Sequence, residues 1–100
     1  MPRNLSNWNY GDVVSFLKQH FFEFIEQTIG SHFYYQGRVD GKIRLVDVQS
    51  HGSRSISIKS LQHDIITKSG IPEIYWKNWA NAGNKKLRKT IQYEGAVQIN

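Results

Sequence analysis

The dipeptide Asp40-Gly41, inside "RVDGKI", constrains this chain more than any other feature. Both residues tolerate positive φ, so the pair between two β-rich runs is a strong hairpin signal. The runs are present: "SHFYYQG" before it and "KIRLVDVQ" after it, rich in aromatic and β-branched residues. An earlier run, "FEFIEQTI", has the same character from about Phe22 to Thr28, and Ile29-Gly30 reads as the tight turn that follows it. The middle of the chain therefore reads as three antiparallel strands.

Helical patterns flank them. "GDVVSFLKQHFF" spaces Val13, Val14, Leu17 and Phe21 for one helix face, with Asp12 as its N-cap. "SHGSRS" is a loop by composition. "ISIKSLQHDIITKSG" then aligns Ile58, Leu61, Ile65 and Ile66, with Ser55 or Ser57 as cap and Gly70 as the C′ glycine. Pro72 can open a further short helix, "PEIYWKNWA", with Glu73 in its first turn. Tyr75 and Trp79 share a face of that helix, Trp76 stands beside them, and the helix over 58–69 is the nearest surface they could cover. "TIQYEGAVQIN" reads either as an added strand or as a loose tail.

One hundred residues make about one domain. The order α-β-β-β-α most simply gives an α+β fold: a three-stranded antiparallel sheet with its helices on one face, as in double-stranded-RNA-binding domains. The other face of the sheet is then open. Residues 1–83 are expected to form the domain and 84–100 a basic C-terminal extension.

Charge narrows the function. Residues 1–50 carry five Lys/Arg against five acids, whereas 51–100 carry eight against three, so the whole net charge of +5 lies in the second half. Much of it is "KKLRK". A sequence pI of about 9.6 favours an anionic partner, of which phosphate backbones are the commonest. A solvated tail that aids solubility would carry the same charge. No run approaches the roughly 20 apolar residues of a membrane span, and "MPRNLSNWNY" lacks a signal peptide's apolar core, so a cytoplasmic protein is expected. With no cysteine, disulfides and thiolate metal sites are excluded.

Four histidines remain to be placed. His20 and His63 fall in helical stretches, where surface roles explain both. No His-x-x-x-His or Glu-x-x-His spacing occurs, so neither a metal nor another cofactor is expected. His32 and His51 each stand beside a glycine and a serine, where a polar ring would be accessible. Neutral imidazole is the usual general base near pH 7. The plainer reading of His32 is a half-exposed strand residue hydrogen-bonded to a neighbour.

The segment "FFEFIEQTIGSHFYYQGRVDGKIRLVDVQSHGSRSISIKSLQHDIITKSGI" resembles the HicA family of toxins from bacterial toxin–antitoxin pairs. The family order is an N-terminal helix, an aromatic pair, a strand, Gly-Ser-His, a hairpin, His-Gly in a loop, and a helix closed by Gly-Ile. Here those parts are 13–20, Phe21-Phe22, 23–28, Gly30-Ser31-His32, 33–48, His51-Gly52 and 58–71, within roughly residues 10–75. Phe33 stands where the family often has a second histidine or a basic residue.

The resemblance implies a small, basic, metal-independent endoribonuclease that cuts mRNA, held in check by a HicB-like antitoxin. His32 would be the catalytic base. Arg38, Lys42, Arg44 and His51 would meet the RNA, with Arg38, Lys42 or Arg44 stabilising charge on the phosphate. Lys85, Lys86, Arg88 and Lys89, beyond the resembling segment, are expected to meet RNA on their charge alone. Tyr34 or Tyr35 could stack on an unpaired base. A non-catalytic RNA-binding module of the same fold is the alternative, and a domain docking an acidic protein a third.

Overall fold

The structure, a computed structural model, describes residues 2–50 and 52–99. Asp40 and Gly41 take φ of 53° and 77°, the mirror-image turn whose twist matches its flanking strands. They fold β2 (His32–Val39) onto β3 (Lys42–Gln49) in unbroken antiparallel register, from Val39 opposite Lys42 to His32 opposite Gln49. β1 (Glu23–Thr28) pairs with the other edge of β2, and its register shifts between Phe24 and Glu26. The sheet order is β1-β2-β3. A short β4 (Ala96–Val97) extends it, with Ala96 opposite Val39 and Val97 opposite Arg38. Of the two readings of "TIQYEGAVQIN", the added strand is what forms.

Strand alternation gives the sheet two unlike faces. Tyr35, Val39, Val46 and Val48 are buried on one. Gly37 joins them because the Phe22 ring lies on it; a Cβ there would sit 2.6 Å from that ring. The opposite face carries His32, Tyr34, Gln36 and Arg38 from β2, and Ile43, Leu45, Asp47 and Gln49 from β3, none of them buried. An α+β fold with the order α-β-β-β-α and its helices on the buried face is therefore what forms.

α1 (Tyr10–Gln19) starts earlier than expected. Asn9 is the N-cap, accepting from the Asp12 amide at 2.9 Å. Asp12 instead stands at the third helical position and accepts from the Asn9 amide at 3.0 Å, which closes a capping box. The helix ends with Phe22 N–H bonded to Leu17 O and Phe21 N–H to Lys18 O, both rings of a Schellman motif. Phe21 takes the left-handed position there, at φ 67°.

The next helix is continuous but not uniform. It comprises α2 (Ile58–Ser60), a π-helical stretch (Leu61–Ile66) and α3 (Thr67–Ser69). Ser57 caps its start, donated to by Ser60 N–H at 3.1 Å, and Gly70 closes it at φ 74°. Its Leu61, Ile65 and Ile66 are buried.

α4 (Glu73–Asn81) buries Trp76, Trp79 and Ala80, not Tyr75 with Trp79. The indoles also face a different partner. Trp76 stacks on Phe16 of α1 at 3.9 Å between ring centres, and Trp79 stacks on Trp8 at 5.1 Å. Tyr75 is half-buried against Tyr93, 5.0 Å away. The aromatic N-terminal segment supplies the large apolar surface, and the spacing within α4 could not reveal that.

His20 is fully buried rather than on the helix surface. α1 stops there, so the ring lies under the returning C-terminal segment. Its Nδ1 donates to Phe16 O at 2.9 Å and its Nε2 accepts from Tyr93 N–H at 3.0 Å. Residues 84–99 pack on the rest of the chain through these bonds, through β4, and through the bond from Tyr93 OH to Asp40 at 2.8 Å. α5 (Lys85–Arg88) lies within this segment. Among the described residues, no helix is long and apolar enough to cross a membrane.

Candidate active site

The loop between β1 and β2 explains why a histidine follows Gly-Ser. Gly30 and Ser31 both take positive φ, 80° and 63°, and reverse the chain so that His32 is the first residue of β2. A Cβ on Gly30 would stand 3.5 Å from the His32 ring. Ser31 O accepts from Ser50 N–H at 3.0 Å, which ties the loop to the end of β3. His32 is thereby fixed at the sheet margin, on the face away from the core.

Its ring is held from two sides. Nδ1 lies 2.8 Å from Oδ2 and 3.0 Å from Oδ1 of Asp47. A carboxylate only accepts, so Nδ1 carries the proton and the neutral ring has its lone pair on Nε2. Gln49 donates its amide to that lone pair at 3.1 Å. The side chains of His32 and Asp47 are 29% and 36% exposed, so a substrate can reach them. An acceptor nitrogen on a ring oriented by a carboxylate is the arrangement a general base requires.

A cleft of about 520 Å³ opens beside the pair. Tyr34, Leu45, Asp47 and Gln49 form its sheet wall, and Ser60, Asp64, Ile65 and Lys68 its helix wall. Ser55, Ile56 and Ser57 complete it from the connecting loop. The same carboxylate that orients His32 thus lines a cavity of ligand size.

The other expected site residues scatter. Arg38 shares the face of His32 but stands six positions along β2, roughly 20 Å away at strand rise. Arg44 is on the opposite face, where its guanidinium lies over Gly70 and donates to Val39 O at 3.3 Å. Lys42 is exposed beside the hairpin turn, at the far end of β3. Lys85, Lys86 and Lys89 are exposed together. Arg88 is not with them: it lies 4.3 Å over the Trp79 ring and donates to Trp79 O at 3.2 Å. His51 lies outside the described residues. The two tyrosines separate as well, since Tyr34 lines the cleft whereas Tyr35 is buried with its hydroxyl 2.8 Å from that of Tyr10. Phe33 turns away from His32 and packs on Tyr10, 5.1 Å between rings.

Reading the sequence missed Asp47, Gln49 and Lys68. Asp47 and Gln49 had a usable signal, because a two-residue turn at Asp40-Gly41 fixes which β3 residues meet His32. Lys68 had none. Its place depends on how the helix docks against β3.

Among the described residues, no group of three or more His, Asp or Glu side chains is placed to hold a metal ion. The chain has no significant match among protein-family models, curated proteins or solved structures.

Proposed function

We propose that this protein is a cytoplasmic HicA-type toxin, an endoribonuclease that cuts mRNA without a metal and is silenced by a HicB-like antitoxin. The observation that carries this reading is the His32–Asp47 bond, which makes Nε2 of a half-buried imidazole the acceptor nitrogen while Asp47 itself lines a cleft. RNA brings its own nucleophile. Nε2 takes the proton of a 2′-hydroxyl as the 2′-oxygen bonds to phosphorus. The P–O5′ bond breaks, and the leaving oxygen gains a proton from solvent. A 2′,3′-cyclic phosphate and a 5′-hydroxyl end result. Asp47 orients the ring and faces the imidazolium formed on proton uptake, a positioning role.

Among the described residues that line the cleft Lys68 is the cation, and in this reading it takes the charge-stabilising part that was expected of Arg38, Lys42 or Arg44. The α-β-β-β-α layout is compatible with the double-stranded-RNA-binding-like fold of that family. The Gln49 amide on Nε2 favours a second reading, because it must move before a 2′-hydroxyl can bind. Under that reading the protein is a non-catalytic RNA-binding module.

The deciding experiment incubates RNA with native protein and with His32→Ala, each checked for fold by circular dichroism. Cyclic-phosphate ends from the native protein alone support the nuclease, and growth arrest on expression should follow the same pattern. Equal translation arrest by a folded His32→Ala protein, with no cleavage by either, would establish the binding module.

A further inference from the structure

The cleft beside Asp47 has chemistry of its own, beyond supporting a base. Its apolar surface comes from Tyr34, Leu45, Ile56 and Ile65, and a tyrosine on an open sheet face is a platform for a flat ring. Its polar surface is mixed rather than cationic. Asp64 and Lys68 make no ion pair or side-chain hydrogen bond among the described residues, although both line the cleft. Asp47 is already engaged by His32. With one unengaged carboxylate, one lysine and several serines, the interior does not suit a run of phosphates. It suits a neutral, flat group with hydrogen-bond donors, attached to a single anion.

The helix wall is unusual in a second, independent way. Leu61–Ile66, the stretch that contributes Asp64 and Ile65, is π-helical. Thr67 N–H bonds to Gln62 O, five residues back, and the Thr67 hydroxyl bonds to the same oxygen at 2.8 Å. Such stretches are rare and concentrate at functional sites. Here the widened turn is the one that lines the cleft.

We infer that the cleft holds one unpaired nucleotide of the RNA, with the base on Tyr34, its amino group donating to Asp64, and its phosphate on Lys68. The inference rests on the nuclease reading and names the substrate feature which that site selects. A carboxylate only accepts, and adenine, cytosine and guanine offer it an exocyclic amino group. Uracil offers only an N3–H flanked by two carbonyl oxygens that repel the carboxylate, so the amino-bearing bases bind in preference to it. Paired bases are excluded, because a base inside a duplex is stacked on both faces and cannot lie on Tyr34.

Free mononucleotides test this without any cleavage. AMP, CMP, GMP and UMP are titrated into the native protein, with backbone amide shifts followed by NMR. The expected result is perturbation of Tyr34, Asp47, Ser57 and Asp64, with UMP weaker by at least about fivefold. Asp64→Asn removes that preference. Lys68→Ala weakens nucleotides but not the corresponding nucleosides. Both side chains are exposed on their helix, so neither variant threatens the fold. Shifts confined to other surfaces, or equal binding of UMP that Asp64→Asn leaves unchanged, overturn the inference. His32-dependent cutting without any response at the cleft also overturns it and leaves the nuclease standing. Selective cleft binding by a protein that cuts no RNA supports the pocket and removes the nuclease.

Discussion

His32 meets Asp47 diagonally across the β2–β3 ladder, Nδ1 to Oδ2 at 2.8 Å, while its direct neighbour in register is Gln49. Residues two apart on a strand share a face, so both partners reach one ring from the same side of the sheet. One presents a carboxylate to Nδ1 and the other an amide to Nε2.

Replacing the carboxylate should damage catalysis without unfolding the sheet. Asp47→Asn keeps the size but can present an N–H to Nδ1, which releases the ring to its other tautomer. We expect a loss in kcat smaller than that of His32→Ala, itself about 10²–10⁴-fold, and an altered pH–rate profile. A rate and profile identical to native would show that Asp47 does not position the base.

Cleavage should survive chelation. The groups that the proposed mechanism sets around RNA are His32, the Asp47 carboxylate bonded to it, an amide, a lysine and the Asp64 carboxylate. Among the described residues no three His, Asp or Glu side chains come together to hold a hard cation. Incubation with EDTA should leave the rate unchanged. Activity lost with EDTA and restored by magnesium would contradict the metal-free mechanism.

The basic cluster should divide into two behaviours. Neutralising exposed Lys85, Lys86 or Lys89 should reduce the salt dependence of single-stranded RNA binding by about 0.7 per lost phosphate contact. Arg88 is committed to Trp79, so Arg88→Ala should instead lower stability, by about 1 kcal/mol, with little effect on that slope. Salt titrations and denaturant melts separate the two. A slope that ignores all three lysines would assign them another partner.

Tryptophan emission should report burial before any partner is added. Trp8 and Trp76 are fully buried and Trp79 is 4% exposed, so native emission should be blue-shifted and indifferent to RNA. Trp76→Ala leaves a cavity against Phe16 and Trp8 and should cost about 3–5 kcal/mol in a denaturant melt. Water-like emission that shifts only with RNA would refute this packing.

Acid should loosen the C-terminal segment through His20. Burial lowers its pKa below the ordinary 6.5, while the bond to Phe16 O opposes that in part. Protonation would also set an N–H against the Tyr93 N–H. Between the folded and unfolded pKa the unfolded chain binds more protons, so stability rises with pH. The contribution is complete above pH 6.5 and is lost as pH falls toward the folded value. His20→Gln should be less stable at pH 7.5 yet flatter between pH 6.5 and 5, measured by denaturant midpoints. An unchanged slope would exonerate His20.

By itself the sequence determined what is decided locally. Asp40-Gly41 fixed the hairpin because few other pairs take two positive φ values. The alternating runs fixed the strands, and Gly70 with a cap at Ser55 or Ser57 bounded a helix whose apolar spacing was plain, the structure choosing Ser57. The same turn also set the His32–Asp47 diagonal, since a two-residue loop permits one register. Other features involve residues far apart in the chain. His20 and Tyr93 are 73 positions apart, and the Gln19 side chain reaches Arg88 O across 69. No periodicity connects them. Arg44 and Arg88 look alike as charges, yet one covers Gly70 and the other Trp79, because packing required their long stems there. Lys68 came to the cleft only through docking of its helix against β3, in a π-helical register that no local propensity specifies. Local backbone preference determined the elements; the burial of aromatic surface from Trp8, Phe16, Trp76 and Trp79 decided how they met, and so which charges remained free to act.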